Sequence, residues 1–391
     1  MSNNMYLNCE GQALISRRNL LKATAILSFA ALPEFSFAKT PSETRLLTVL
    51  LRGGLDGMFA MPPVGDKRLA ALRPRINPDK TLKLDGFFGL HSAFKNIYDM
   101  YQKGEALLVH GASMPYTGRS HFEGQNIMET GDLVPYAVKT GWMGRALDLQ
   151  GYESVAMSLP APLLLRGRSR PDNFYPSWLP QIPTRLYEKI LPLWGADPSL
   201  APYSDQMRSA LAAPVEPSDL HVGDKNSLRV LAEEAGKRLQ LGDGPRMAVL
   251  DHVGFDTHAN EPNDYRRLFA EVDDAIGAFR QAVGDEAWKN TLVVTVTEFG
   301  RTVAENGSRG TEHGWGTAIF VLGGKLKKGG VIADWPGLDK KSLFEGRDLH
   351  ASIDARGLYG QLMSTVLDLD PEQVRKDVLN FEKTDRFSAY I

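Results

Sequence analysis

Short apolar runs, separated by segments with helical periodicity, constrain the fold of this 391-residue chain more than any other feature of its sequence. The runs are rich in Val, Leu and Ile and do not alternate strictly with polar residues, which is typical of strands covered on both faces. Turn residues follow the runs. The six runs cover residues 46–51, 106–109, 155–158, 247–250, 292–296 and 318–322.

Apolar stripes at helical spacing lie between these runs. The alternation of strands and helices predicts an α/β fold in which helices pack on both sides of a mostly parallel sheet. The first stripe consists of Phe94, Ile97, Tyr98 and Tyr101, and the second of Leu228, Leu231, Ala235 and Leu239. The third consists of Leu268, Phe269, Val272, Ala275, Ile276 and Phe279, with Asn263 and Asp264 as possible caps.

The first forty residues have the features of a cleaved export signal. An arginine pair at 17–18 precedes an uncharged apolar run at 23–32, and small side chains before a cut after residue 38 complete the pattern. The run is too short to span a bilayer, and the pair matches the twin-arginine signal. We therefore expect residues 1–38 to direct the folded chain to the periplasm through the twin-arginine export machinery. The alternative is a lone N-terminal amphipathic helix.

Composition narrows the partners of the mature chain. With 45 basic and 47 acidic residues, the full chain has a formal net charge of −2, which gives no indication of binding to nucleic acid or to a membrane surface, and we expect no nucleic-acid partner. The only cysteine, Cys9, lies in the leader, so no disulfide is expected after cleavage. No later apolar run reaches about 18 residues, so the mature chain is expected to lack a transmembrane segment.

The stretch at about 160–225 differs in composition from the rest of the chain. It is rich in Pro, Arg, Ser and Trp and contains few clear strand patterns. We interpret it as an insertion or cap over one edge of the sheet, within a single domain that spans residues 39–391. An irregular surface excursion without a functional role would explain the composition as well.

Acidic and histidine side chains gather near the ends of the predicted strands. Because the carboxyl ends of parallel strands share one edge of the sheet, these side chains should lie close together. Carboxylate oxygens and imidazoles are the ligands that a divalent metal needs. The candidates are Asp56 after the first run, Asp256 and His258 beyond the fourth, Glu298 after the fifth, and His313 just before the sixth.

Three of these candidates also have a structural explanation. Asp56 stands between glycines, where a turn residue is common. His258 could be a loop histidine bonded to a carbonyl, and Glu298 could be an ion-pair partner of Arg301. Asp251 and His252 compete with the pair at 256 and 258, and we rank them lower because they lie at the end of the strand itself.

Ser120 admits two interpretations. With Glu123 three residues later it forms a capping-box pattern, which predicts a helix start and explains both residues without any chemistry. Alternatively, Ser120 is a nucleophile toward a phosphate or sulfate ester, whose oxygens would be held by Arg119, His121 and the N–H groups of the helix terminus.

Five motifs in this chain resemble an exported bacterial family, domain of unknown function 1501. The family is a distant relative of the alkaline phosphatase and sulfatase superfamily, and its members commonly carry twin-arginine signals. The resemblance extends over essentially the whole mature chain. The motifs are residues 52–57 (RGGLDG), 119–122 (RSHF), 255–260 (FDTHAN), 297–302 (TEFGRT) and 312–314 (EHG).

The resemblance implies a three-layer α/β/α sandwich with metal ions and a nucleophile at the carboxyl edge of the sheet. The chain departs from the superfamily pattern in three ways: Phe299 replaces the expected histidine, the Asp-to-His spacing is short, and the serine motif is unlike that of sulfatases. These departures favour one metal, or an altered second site. The implied ligands and nucleophile follow in the order Asp56, Ser120, Asp256 with His258, Glu298 and His313.

The leading hypothesis is a metal-dependent hydrolase that cleaves a small anionic phosphate or sulfate ester. Asp256, His258 and His313 would bind one ion, which could be Zn, Mn, Ca or Mg. Asp56 and Glu298 would bind a second ion or orient the first. The ion would activate Ser120 or a water, and Arg119 or Arg301 would neutralise the ester oxygens.

Two other functions remain open. A non-catalytic envelope protein could use the same crevice, or the stretch at about 160–225, to bind a glycan or a protein partner. A weaker alternative is a mutase or transferase that moves phosphate to an acceptor.

Overall fold

A nine-stranded sheet runs through the described part of the chain. The computed structural model describes residues 43–77, 80–158, 160–174, 189, 191–193, 196, 227–382 and 384–391. The leader and most of the predicted insertion lie outside the described residues. Residues Ser42–Ile391 group into one unit by their internal contacts.

Each of the six apolar runs contains a strand, as predicted. The bounds are β1 Arg45–Arg52, β2 Thr81–Lys83, β3 Gly89–His91, β4 Ala106–Ser113, β5 Ser154–Ala156, β6 Asp172–Asn173, β7 Met247–Val253, β8 Thr291–Val296, β9 Thr317–Leu322, β10 Gly330–Ala333 and β11 Ile353–Asp354. The spatial order is β10-β4-β9-β8-β1-β7-β5-β6, and β11 also pairs with β4. Strands β2 and β3 form a separate antiparallel pair.

Strand β9 is the exception to the parallel arrangement. Between the described strands of the large sheet, every pairing is parallel except those of β9 with β4 and with β8. The mostly parallel sheet is therefore confirmed. Because β9 runs in the opposite direction, its first residue lies at the edge where the other strands end.

Helices cover both faces of the sheet. Their bounds are α1 Gly57–Ala60, α2 Leu69–Leu72, α3 Lys95–Gln102, α4 His121–Thr130, α5 Trp142–Gln150, α6 Leu228–Gln240, α7 Glu261–Trp288, α8 Ala355–Leu367 and α9 Pro371–Gln373. A 3-10 turn at Leu163–Leu165 and a π turn at Val374–Val378 are two further helical segments.

The two cores follow from the alternation of side chains along each strand. Leu46 and Leu50 of β1 belong to a core with α5 and α8. Leu47 and Val49 belong to a core on the other face, with α3, α6 and α7. The chain is thus a three-layer α/β/α sandwich, as the resemblance implied.

The long helix α7 begins earlier than its predicted caps. Asn260 is its N-cap residue, so Asn263 and Asp264 lie inside the first turn. Pro262 accounts for the difference, because proline is favoured in the first turn of a helix, where its missing N–H has no partner to lose. Among the described residues, no helix is both long and apolar enough to cross a bilayer.

The predicted insertion contributes a strand to the sheet where it is described. Strand β6 pairs in parallel with β5 and forms the last strand at that edge. Phe174 extends this pairing by donating its N–H to the Ala156 carbonyl at 2.9 Å.

Candidate metal centre

The loops that follow β1, β7 and β8 meet the loop that precedes β9 at one edge of the sheet. Gly53 follows β1, Asp256 follows β7, Glu298 follows β8, and His313 precedes β9. The reversed direction of β9 is what brings His313 to this edge. Helix α4, which follows β4, begins with His121 and adds a further imidazole.

Three imidazoles and one carboxylate converge there. His313 Nε2 lies 2.9 Å from His121 Nε2 and 3.1 Å from His258 Nε2. One oxygen of Asp256 lies 2.9 Å from His258 Nε2 and 3.0 Å from His313 Nε2, and the other lies 3.2 Å from His121 Nε2. We call these four side chains the histidine cluster.

The other nitrogen of each ring faces a hydrogen-bond acceptor of the protein. Since these acceptors carry no proton to donate, each Nδ1 must be the donor, and each neutral ring then presents a lone pair at Nε2. The acceptors are Glu298 Oε1 for His121 at 2.9 Å, Glu312 Oε2 for His258 at 2.8 Å, and the Arg119 carbonyl for His313 at 2.8 Å.

This arrangement fits a bound cation. Neutral imidazoles whose Nε2 lone pairs converge repel one another unless a metal ion or a proton lies between them. Around a tetrahedral ion with bond lengths of about 2.0–2.1 Å, ligand atoms lie roughly 3.3–3.4 Å apart, close to the observed separations. Among the described residues, His121, Asp256 and His313 form a group whose ligand atoms lie within 4.8 Å of one another.

The structure brings the predicted ligands Asp256, His258 and His313 together. It also adds His121, which the sequence analysis assigned to the ester oxygens. The RSHF motif contains this histidine, but the motif alone does not show that its ring faces His313. Glu312, which holds His258, was missed, although it directly precedes His313 in the EHG motif.

Glu298 orients His121. Its Oε1 accepts hydrogen bonds from Gly53 N at 2.8 Å and Gln125 Nε2 at 3.1 Å as well as facing His121, and its Oε2 accepts from Thr297 Oγ1 at 3.2 Å. Burial alone would raise the pKa of Glu298, but these hydrogen bonds, that of His121 first, lower it. The hydrogen bond in turn raises the pKa of His121. The buried carboxylate therefore orients the His121 ring.

Arg301 fixes the loop that carries Asp256. Its fully buried guanidinium donates to the carbonyls of Gly53 at 2.6 Å, Gly54 at 2.9 Å and Phe255 at 2.7 Å, and to Asp256 Oδ1 at 2.8 Å. Burial would raise the pKa of Asp256, but the hydrogen bond and the positive charge of Arg301 lower it. Asp256 is thus kept ionised.

The two arginines assigned to the ester both donate to protein acceptors. Arg301 is engaged as described above. Arg119 donates from Nε and Nη2 to Asp348 Oδ2 at 2.9 and 2.7 Å, and from Nη2 to Glu345 Oε2 at 2.6 Å. Both residues instead position the cluster, Arg119 through its main-chain carbonyl. The sequence could not show this because the acceptors come from distant segments.

Gly53 is required where two loops touch. Its φ of +118° is accessible mainly to glycine. A Cβ at this position would lie 2.3 Å from the main-chain nitrogen of Asp256. Close packing of the two loops therefore depends on this glycine.

Ser120 is the N-cap residue of α4, but the predicted capping box is not formed. Among the described residues, its side chain makes no capping hydrogen bond to the helix. Instead the Tyr116 hydroxyl accepts from Ser120 N at 3.1 Å and donates to Glu123 Oε2 at 2.7 Å. A tyrosine that the pattern did not include thus bridges the two residues. The Ser120 hydroxyl is not needed as a cap.

Asp56 does not join the histidine cluster. Its Oδ1 accepts from Met58 N at 3.0 Å and Phe59 N at 3.1 Å, which caps α1, and its Oδ2 pairs with the buried Arg73. Asp251, one of the two residues that competed with the pair at 256 and 258, forms an ion pair with Arg52 at 2.7 Å. The turn explanation describes Asp56 better than the metal prediction does.

Glu261 is a buried acid that is influenced by the charge of the buried Asp56. Burial first, and then the neighbouring Asp56 charge, raises the pKa of Glu261 well above its usual 4.5. Thr311 donates its hydroxyl to Glu261 Oε2 at 2.6 Å. One arginine, Arg73, faces two carboxyl groups, so the fold favours a proton on Glu261.

We expect this proton to make stability depend on pH. The folded chain retains a proton that the unfolded chain loses above about pH 4.5, so the free energy of unfolding should fall as pH rises through the raised pKa. Glu261→Gln keeps the shape without an ionisable proton and should be more stable than the wild type at about pH 8. Urea unfolding at about pH 5 and pH 8 measures the effect, with the exposed Glu286→Gln as control. Destabilisation of Glu261→Gln at both pH values would contradict it.

One region of the chain matches a family model. Residues 206–366 match the model described as "Protein of unknown function (DUF1501)", which confirms the family resemblance. No curated protein sequence matches the chain significantly.

Solved structures with a similar fold come from several proteins. Ps i-CgsB, solved in complex with k-i-k-neocarrahexaose, is 13% identical with a TM-score of 0.43, covering 88% of this chain and 75% of that one. The lipoteichoic acid synthase LtaP from Listeria monocytogenes is 11% identical with a TM-score of 0.39, covering 75% and 69%. A protein in the alkaline phosphatase superfamily from Vibrio parahaemolyticus is 12% identical with a TM-score of 0.38, covering 82% and 72%.

Proposed function

We propose that this protein is an exported metal-dependent hydrolase that cleaves a phosphate or sulfate ester at the histidine cluster. The observation that carries the proposal is the orientation of three imidazoles. Each Nδ1 faces a protein acceptor, and the Nε2 atoms converge beside an ionised Asp256. Such acceptor–histidine pairs are typical of metal ligands.

The donor set favours zinc over calcium or magnesium. His121, Asp256 and His313 would hold the ion, with His258 as a fourth ligand. Imidazole suits Zn²⁺, whereas Ca²⁺ and Mg²⁺ prefer oxygen ligands. Asp56 is occupied by α1 and Arg73, which supports a single metal ion. When bound, the ion would supply a Lewis acid and lower the pKa of a hydroxyl or water in contact with it.

The chain's own residues would prepare the reaction. Glu298 keeps a proton on His121 Nδ1, and Arg301 keeps Asp256 ionised. The Asp256 side chain is 44% exposed, so a substrate can approach the cluster from solvent. Ser120, directly before His121, has a hydroxyl that is free of capping and is the candidate nucleophile.

Metal analysis combined with turnover assays tests the proposal. The wild type should bind about one zinc ion and hydrolyse p-nitrophenyl phosphate or p-nitrophenyl sulfate, and chelation should abolish the activity. Ser120→Ala should lower kcat by about a thousandfold or more if the hydroxyl is the nucleophile. Ser342→Ala, in a surface turn, is the control. Absence of both metal binding and turnover with added Zn²⁺, Mn²⁺, Ca²⁺ and Mg²⁺ would overturn the proposal.

The commitment of Arg119 and Arg301 to protein acceptors favours one alternative, an envelope protein that binds a glycan or a protein without catalysis. Such a protein has no need of a guanidinium group to neutralise an ester. Its binding should survive Ser120→Ala unchanged, whereas a hydrolase should lose turnover.

We also propose export through the twin-arginine machinery. The support is the sequence of the leader, with its arginine pair at positions 17 and 18. Substituting lysine for both arginines should retain the protein in the cytoplasm, as measured by fractionation and immunoblotting. Unchanged delivery to the periplasm would contradict this.

A further inference from the structure

Arg52, the last residue of β1, belongs to the RGGLDG motif but not to the histidine cluster. Its guanidinium joins three elements of the fold. Nε donates to both oxygens of Asp251 in β7 at 2.7 Å, and Nη1 donates to Glu129 Oε1 at 2.8 Å and to Gln125 Oε1 at 3.1 Å, both on α4. Glu129 is buried, and its other oxygen accepts from Leu164 N at 2.8 Å. Charged partners therefore hold Arg52 in one position.

Gln125 connects this guanidinium to Glu298. Its Nε2 donates to Glu298 Oε1 at 3.1 Å, the oxygen that also accepts from Gly53 N and faces His121 Nδ1. The two ends of a glutamine amide have nearly the same shape, so packing alone does not decide which end faces the carboxylate. Arg52 decides it, because a guanidinium only donates hydrogen bonds and so requires the amide oxygen on its own side. The N–H groups of the amide are left facing Glu298.

The spacing along α4 places these contacts on one face of the helix. His121, Gln125 and Glu129 follow one another at intervals of four residues, so their side chains project from the same side. This face meets the ends of the strands, where polar groups removed from water cost free energy unless each has a partner. Glu298 and Arg52 supply those partners. The polar face of α4 is thus organised around the carboxylate that holds His121.

Gln125 fixes a direction without adding charge. Two carboxylates already surround the positive charge of Arg52. A direct ion pair between Arg52 and Glu298 would draw the carboxylate away from His121, because an ionised donor forms the stronger hydrogen bond. The neutral amide completes the hydrogen bonds of Glu298 Oε1 and leaves the carboxylate charge facing His121.

We propose that Gln125 and Arg52 are positioning residues for the metal centre. Gln125 fixes the Glu298 oxygen that accepts from His121 Nδ1. Arg52 in turn fixes the orientation of the Gln125 amide. The His121 ring is thereby held with its Nε2 lone pair directed at the ion. The inference deepens the proposed function, because it rests on zinc binding by the histidine cluster.

A double-mutant cycle tests the inference, with zinc affinity measured by competition with a chromophoric chelator. Gln125→Met removes the donor, keeps the length of the side chain and leaves Arg52 paired with its carboxylates. It should bind zinc about ten- to hundredfold more weakly than the wild type. Arg52→Met alone should also weaken zinc binding, but it should have no further effect in the Gln125→Met background, since both changes break the same connection.

Fully additive losses in the cycle would overturn the role of Arg52. If Arg52→Met does not fold, Gln125→Met decides the proposal by itself. Gln361→Met is the matched control, since Gln361 Nε2 donates to Thr365 Oγ1 at 3.3 Å within α8, and it should leave zinc affinity unchanged. Zinc binding by the wild type with equal affinity in Gln125→Met would overturn the inference and leave the proposed function standing.

The tautomer of His121 separates failure of the inference from failure of the proposed function. NMR of the ring nitrogens is recorded on the zinc-free protein, at a pH where the ring is neutral. The proton should lie on Nδ1 in the wild type and partly on Nε2 in Gln125→Met, because Asp256 Oδ2, 3.2 Å from Nε2, then competes for it. If the wild type binds no zinc, the metal-dependent function is overturned. The shift to Nε2 would still support the two positioning residues, and an unchanged Nδ1 proton in Gln125→Met would overturn their role.

Discussion

Replacement of His313 by alanine is expected to lower the affinity for zinc by about a thousandfold or more. His313 Nε2 lies at the centre of the cluster, 2.9 Å from His121 Nε2, 3.1 Å from His258 Nε2 and 3.0 Å from Asp256 Oδ1. Its loss removes one ligand and the contact that links the other two rings. Competition with a chromophoric chelator measures the affinity directly.

The stability of His313→Ala without metal is a second test of the metal centre. With neither a metal ion nor a proton between the rings, the converging lone pairs destabilise the wild type, so His313→Ala should be at least as stable as the wild type in the presence of chelator at a pH where the histidines are neutral. Zinc should raise the unfolding temperature of the wild type, because it binds only the folded state, and should leave that of the variant unchanged.

His350→Ala supplies the matched control. His350 contacts Trp315 in an edge-on arrangement with ring centroids 4.9 Å apart, outside the cluster, and its replacement should leave zinc affinity unchanged. If the metal-free His313→Ala is strongly destabilised and zinc has no effect on either protein, the cluster is a structural hydrogen-bond network and no metal centre.

Replacement of Arg301 by methionine is expected to lower the free energy of unfolding by about 3 kcal/mol. Methionine fills part of the space but donates no hydrogen bond, so the carbonyls of Gly53, Gly54 and Phe255 lose a buried charged donor. Asp256 loses its ion pair as well, and zinc affinity should fall with it. Urea denaturation and chelator competition measure the two effects.

Arg267→Met is the control for loss of an arginine. Arg267 forms an exposed ion pair with Glu271 one helical turn away, and such pairs contribute about 0.5 kcal/mol or less. A loss of less than about 1 kcal/mol in Arg301→Met would show that the loops hold their positions without this guanidinium.

The candidate site could be predicted in part because its residues stand at strand ends. Asp256 and His258 follow β7, and residues directly after a buried parallel strand lie at the carboxyl edge of the sheet. His121 was predicted to lie nearby but to hold the ester oxygens, because the residues that its ring contacts lie on other segments. Asp56 pairs with Arg73 instead of joining the cluster, and no local sequence pattern shows that Arg73 approaches α1.

The sequence by itself determined the layers of this protein. Strands buried on both faces must be continuously apolar, and helices buried on one face must have an apolar residue every three to four positions. Both patterns can therefore be identified from the local sequence. Only the tertiary structure decided the direction of β9, the pairing of Glu312 with His258, and the commitment of Arg119 and Arg301 to structural acceptors. These depend on which distant segments meet, and a local sequence pattern carries no information about the partner that a polar side chain finds across the sheet.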